Sequence, residues 1–246
     1  MEITQFRNES TVLYLPGLFG GGWSWDEVIK RVYCRNNVVV QDPLCAIGKS
    51  PEALTKAFVK LIDQEIEGPV TVVGTSYGGM VAMMVARERP DRIERVILSD
   101  SAGFNVAETG YSFDRHDLDG YARKLADTIY YHPERIRLID LERLASTLKN
   151  HTRAVARLMN VANTDMSAPQ HLAALRELGV PVHAVWGAND VVTPIEAAEL
   201  TLRRHGASID IIDECGHSPM CERPAEFAEL LNLRVTREPV ELQLAV

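Results

Sequence analysis

The chain lacks the features that mark several large classes of protein. It has no excess of positive charge: 26 Lys and Arg stand against 34 Asp and Glu, a net charge of −8. A nucleic-acid backbone would therefore be repelled, and no basic stripe is evident. It has no apolar run approaching the ~18 residues of a membrane span. Its four cysteines, Cys34, Cys45, Cys215 and Cys221, are scattered without a Cys-x-x-Cys pair, which argues against a disulfide framework and a zinc knuckle. The first residues, Met1 to Arg7, lack the basic-then-apolar layout of a signal peptide. There is no internal repeat and no low-complexity tract. These absences point to a cytoplasmic protein with neither nucleic-acid nor membrane partners; oligomeric state cannot be read from them.

What is present is a globular chain of 246 residues, 46% hydrophobic, a size that suits one generous α/β domain. Short apolar runs recur at Thr11–Leu15, Val38–Gln41, Val70–Val73, Arg95–Leu98, Val182–Trp186 and Ser208–Ile212. Each reads as a strand buried on both faces, the pattern of a parallel sheet. Helices alternate with them. Ser50-Pro51 opens one as N-cap and first helical position, and Gly68-Pro69 stops that run. Thr193-Pro194-Ile195-Glu196 reads as a capping box opening another. A third, following Ser76, carries Met80, Met83 and Met84 as core packing and should end before Pro90. The alternation implies a doubly wound sheet. It breaks between 102 and 179, a polar, helical stretch dotted with Tyr111, Phe113, His116, Tyr121, Tyr130, Tyr131 and His132. The expected organisation is an α/β core of residues 1–101 and 180–246 carrying a helical cap insertion at 102–179. The segment from Thr236 to Val246 shows no pattern and is expected to be a loose tail.

The densest signal is Val70-Thr71-Val72-Val73-Gly74-Thr75-Ser76-Tyr77-Gly78-Gly79. A β-branched run ends in Gly-x-Ser-x-Gly, with a helical stretch directly after it. Such a turn exposes the serine hydroxyl at the carboxyl edge of a sheet. The hydroxyl is a feeble nucleophile until a base takes its proton. Histidine suits that task, with an ordinary pKa of about 6.5. Of seven histidines, His217 lies on the loop between the last strand and the last helix. An acid should orient the imidazole. Asp190 stands just past the strand Val182–Trp186; Asp100, closing the strand Arg95–Leu98, competes for the role.

The order Ser76, Asp190, His217, each beyond a strand, matches that of the α/β-hydrolase superfamily. Gly74-Thr75-Ser76-Tyr77-Gly78-Gly79 resembles its nucleophile elbow, Trp186-Gly187-Ala188-Asn189-Asp190 its acid loop, and Gly216-His217-Ser218-Pro219 its histidine loop. The resemblance runs from the first strand to the last helix. It implies an α/β-hydrolase fold: an eight-stranded, mostly parallel, doubly wound sheet with an inserted helical cap and a reduced first hairpin. It also implies an oxyanion site built from backbone N–H groups, that of Tyr77 and that of Leu18 in the loop after Thr11–Leu15. There the family usually carries His-Gly, whereas this chain has Pro16-Gly17. Asp42-Pro43-Leu44-Cys45-Ala46-Ile47-Gly48-Lys49-Ser50 departs from the family pattern as well.

The function so implied is hydrolysis of an ester or related acyl bond of a small to medium, partly apolar substrate. It proceeds through an acyl-enzyme without metal or organic cofactor. Phe19 and Trp23 are expected to line the pocket, whereas Trp25 reads as core. Three alternatives stay open: hydrolysis of a C–C bond in a diketone-like substrate, a cofactor-free dioxygenase, and a non-catalytic ligand-binding receptor.

Overall fold

The computed structural model describes residues 4–5, 10–104, 116–164, 167–235 and 240–241. Strand β1 (Thr4–Gln5) pairs antiparallel with β8 (Val240–Glu241) as a separate ribbon. The main sheet holds β2 (Thr11–Leu15), β3 (Asn36–Val39), β4 (Val70–Thr75), β5 (Ile93–Ser99), β6 (Val182–Gly187) and β7 (Ser208–Ile212). Their order is β3-β2-β4-β5-β6-β7, and every pairing is parallel. Among the described residues the sheet thus has six strands where the family resemblance implied eight. The edge strand β3 lies two residues earlier than its apolar run. Its register is set by pairing of Asn36 with Thr11, and its outer side is half-exposed, so hydrophobicity marks its ends weakly.

Both faces of the sheet are covered, which is why its strands read as unbroken apolar runs. Leu13, Leu15, Val72, Val96 and Leu98 point into one core, and Val12, Tyr14, Val73, Ile97 and Val185 into the other. Helices α1 (Asp26–Ile29) and α10 (Pro224–Val235) cover the second face. There Trp25 is fully buried between Tyr14 and Phe227, its ring 5.1 and 5.9 Å from theirs. Full burial of one such side chain stabilises by roughly 1.5–3 kcal/mol, so Trp25 is core, as its sequence context indicated. On the first face, α2 (Leu44–Ile47) precedes α3 (Pro51–Glu65), whose N-cap Ser50 accepts a hydrogen bond from the Ala53 amide at 3.2 Å. Helix α4 (Tyr77–Glu88) is buried on nearly every side, with Met80 and Met83 at 0% exposure.

Between β5 and β6 the chain forms α5 (Leu118–Ile129), α6 (Leu138–Thr164) and α7 (Ala168–Glu177). Helices α5 and α6 pack on each other, while α7 packs on α4 beside the sheet. Tyr111 and Phe113 lie outside the described residues, as does the C-terminal tail apart from β8. The last helices are α8 (Ile195–Arg204), α9 (Pro219–Glu222) and α10. Among the described residues, no helix is long and apolar enough to cross a membrane.

The topology creates a crevice. After β2 the chain moves out to β3 and then returns to place β4 on the other side of β2. The loops leaving β2 and β4 therefore diverge from a switch point at the carboxyl edge, where open α/β sheets bind ligands.

Candidate active site

Ser76 occupies that switch point. Its backbone is left-handed, with φ 51° and ψ −122°, a conformation that costs a non-glycine residue of order 1–3 kcal/mol and needs support from its surroundings. The support is visible. The Ser76 amide donates to the Ser99 carbonyl at 2.9 Å, and its own carbonyl accepts from the Gly79 and Ala102 amides at 2.9 and 3.0 Å. The two flanking glycines are sterically required. A Cβ on Gly74 would press on the Gly78 carbonyl and stand 2.6 Å from its carbon; one on Gly78 would strike the Pro16 carbonyl oxygen and stand 2.6 Å from that of Leu15.

The loop after β2 runs against this turn: a Cβ on Gly17 would lie 3.6 Å from Ser76 Cβ. Leu18 and Tyr77 therefore border the same space as the serine. Tyr77 begins α4, so its amide belongs to the helix N-terminus, where N–H groups and the helix dipole favour negative charge.

His217 follows β7. Its Nδ1 lies 2.8 Å from Asp190 Oδ2, and both side chains are buried. Asp190 accepts three further hydrogen bonds: from the Val192 amide at 2.8 Å, the Thr193 amide at 3.1 Å and Thr193 Oγ1 at 2.7 Å. Burial by itself would raise the pKa of this carboxyl. The His217 imidazole and the Thr193 donors outweigh it, holding Asp190 below the ordinary carboxylate range. An ionised Asp190 fixes the proton of the neutral imidazole on Nδ1 and leaves Nε2 as the basic nitrogen.

Here one expectation fails. Thr193 is not the N-cap of a capping box: α8 is capped by Pro194 without a side-chain bond. The Thr193 amide and hydroxyl both donate to the buried Asp190 carboxylate instead, and a charge-assisted bond of this kind is stronger than the neutral hydroxyl-to-amide bond of a cap.

The backbone of the histidine loop is held from the helical insertion. The His217 amide donates to the Ile129 carbonyl at 2.8 Å. The Glu222 carboxylate accepts from the Gly216 and Tyr131 amides at 2.9 and 2.8 Å.

Ser76, Tyr77, Leu18, Phe19, Trp23 and His217 all line one cleft of about 150 Å³. Asp190 lies outside its lining, behind His217. Most of the opposite wall comes from residues that the sequence reading did not select. Tyr121, Leu125, Thr128 and Ile129 project from α5 at spacings of four, three and one. That periodicity was a signal available in the sequence. Leu144 and Met159 of α6 extend the wall. Cys221 also borders the cleft, but desolvation pushes its thiol up to about 12. It is neutral at ordinary pH and a poor nucleophile.

A parallel doubly wound sheet, a strained serine at its switch point and a buried histidine–aspartate pair beside it define an α/β-hydrolase. The chain belongs to the alpha/beta hydrolase family, whose model matches residues 12–230. It is 27% identical over 211 residues to the pimeloyl-[acyl-carrier protein] methyl ester esterase of Aromatoleum aromaticum, covering 76% of this chain and 80% of that one. It is 26% identical over 259 residues to monoacylglycerol lipase abhd6-A of Xenopus laevis, covering 91% and 74%. In fold it is similar to the meta-cleavage product hydrolase of Pseudomonas fluorescens, with a TM-score of 0.74, 18% identity and 94% and 93% of the two chains covered.

Proposed function

We propose that this protein hydrolyses a carboxylic ester of a small to medium, partly apolar substrate through an acyl-enzyme formed on Ser76. The observation that carries the reading is the buried His217–Asp190 pair, 2.8 Å apart, on the wall of the cleft into which the strained Ser76 opens. Two relatives named as an esterase and a lipase support an ester over other acyl bonds.

In this reading Ser76 Oγ attacks the ester carbonyl while His217 Nε2 takes its proton. Asp190 stays ionised and supports the imidazolium. The Leu18 and Tyr77 amides receive the oxyanion; one such donor is worth roughly 3–4 kcal/mol in the transition state. His217 then protonates the departing alcohol and activates the water that releases the acid. Pro16, where the family usually has histidine, leaves the second donor intact because that donor is backbone. Phe19, Trp23, Leu125 and Leu144 give the acyl group an apolar wall. Helices α5 and α6 act as the cap of the 102–179 insertion, and α7 anchors its end to the core.

The test is a panel of esters, lactones, thioesters and vinylogous diketones run against wild type and Ser76→Ala. The expected outcome is ester turnover that falls by several orders of magnitude in the variant with substrate affinity kept, and a fluorophosphonate adduct mapped to Ser76. Oxygen consumption, cleavage of the diketone alone, or undiminished turnover by Ser76→Ala would each reject the reading.

A further inference from the structure

Asp100 directly follows β5 and is fully buried. Its φ of 47° lies in the left-handed region, which aspartate tolerates better than most residues. A carboxylate oxygen of Asp100, one of Asp190 and an imidazole nitrogen of His217 all lie within 4.8 Å of one another, so a second buried carboxyl faces the acid of the proposed relay. Two carboxylates this close and this dry cannot both be ionised. The donors decide which one keeps the charge. Asp190 receives four: two amides, the Thr193 hydroxyl and the imidazole. The Asp100 carboxyl receives two, the Gly187 amide on Oδ1 and the Ser99 hydroxyl on Oδ2, both at 2.9 Å.

We propose that Asp100 is a positioning residue: a neutral carboxylic acid that donates a hydrogen bond to Asp190 and so holds the acid on which His217 turns. Resting on the acyl-enzyme reading for its catalytic consequence, the assignment itself concerns one proton and is tested separately. Burial, followed by the charge of Asp190, drives the Asp100 carboxyl well above the ordinary carboxylate range, in keeping with the count of donors. The titratable groups facing it are Asp190 and His217 across the site and the Cys215 thiol from the loop after β7. That thiol is itself pushed up by burial and by Glu222 and stays neutral. The O–H of Asp100 draws charge from the Asp190 carboxylate. Its loss would leave Asp190 more basic and the imidazolium better stabilised.

The experiment compares Asp100→Asn, which keeps shape and a donor, with Asp100→Ala, which keeps neither. Asp100→Asn should retain kcat/KM within about threefold, with the acid limb of its pH profile unmoved. Asp100→Ala should lose about tenfold or more in kcat at little change in KM, because Asp190 and the imidazole that turns on it lose their fixed geometry, and its acid limb should move to higher pH. In aspartate-labelled wild type, the ¹³C carboxyl resonance that disappears in Asp100→Asn should stay at the neutral-acid position from pH 5 to 8. An acid limb that moves down by a unit in Asp100→Asn would mean that Asp100 is ionised, and so would a carboxylate resonance; either overturns the assignment. So would an Asn variant that fails to fold, or an Ala variant indistinguishable from wild type. If fluorophosphonate fails to label Ser76 while the resonance is that of a neutral acid, the acyl-enzyme reading falls and the protonation of Asp100 stands.

Discussion

Thr193→Val removes one hydroxyl and almost no volume, which makes it a clean probe of how the acid is held. The Thr193 hydroxyl has a single proton, and its shortest contact is Asp190 Oδ2 at 2.7 Å, against 3.1 Å to the Asp100 carbonyl. A hydrogen bond to a charged group contributes roughly 1.5–3 kcal/mol. The backbone ties survive the substitution: the Thr193 amide to Asp190 at 3.1 Å, and Trp186 Nε1 to the residue 193 carbonyl at 2.7 Å. The expected loss is therefore about 2 kcal/mol at pH 7, a fall in Tm of roughly 4–8 °C for a chain of this size. Its pH dependence has a definite sign. Asp190 is held below its ordinary range in the folded protein, so its bonds stabilise the fold fully above the unfolded carboxylate pKa of about 4. That stability is lost as pH falls through the lower, folded value. The gap between wild type and variant should be constant from pH 8 to 5 and should close at lower pH. Urea unfolding across that range measures it. Equal stability at pH 7, or a gap that widens on acidification, would refute the picture of a charged Asp190 anchored by Thr193.

Two other substitutions probe the frame around the serine. Gly78→Ala should cost about 1–3 kcal/mol through overpacking, because the added Cβ meets backbone oxygens of Leu15 and Pro16 that have no rotamer to escape into. It should also cut turnover by moving the Leu18 loop off the elbow; thermal unfolding and ester kinetics together check both, and a fully stable, fully active variant would contradict it. Glu222→Ala deletes the acceptor shared by the Gly216 and Tyr131 amides. Hydrogen exchange at those two amides should accelerate and kcat should fall, with Cys215 and Cys221 still reduced; unchanged protection would show that the clamp does not restrain the histidine loop.

Local signals carried much of the fold. β4 and its turn into α4 were legible because a β-branched run, two sterically required glycines and a helical stretch all act within ten residues. Helix α3 was legible at its start because Ser50 and Pro51 cap it with neighbours only. Where a long-range partner competes, local reading fails. Thr193 carries a credible capping signature, yet its hydroxyl serves a buried carboxylate three residues back. The edge strand β3 slipped by two residues because pairing with β2, not its own hydrophobicity, sets its register. The cleft wall from α5 was overlooked although its periodicity was on view, because the periodicity shows which face is apolar and not what that face meets.

By itself, the sequence determined the class of fold, the order of Ser76, Asp190 and His217, and the backbone strain that the elbow must bear; these depend on residue type and on neighbours along the chain. Only tertiary structure decided that Asp100 and Asp190 stand against each other. Ninety residues apart in the chain, they follow adjacent strands, and in that dry space the number of donors around each carboxyl sets which one holds a proton.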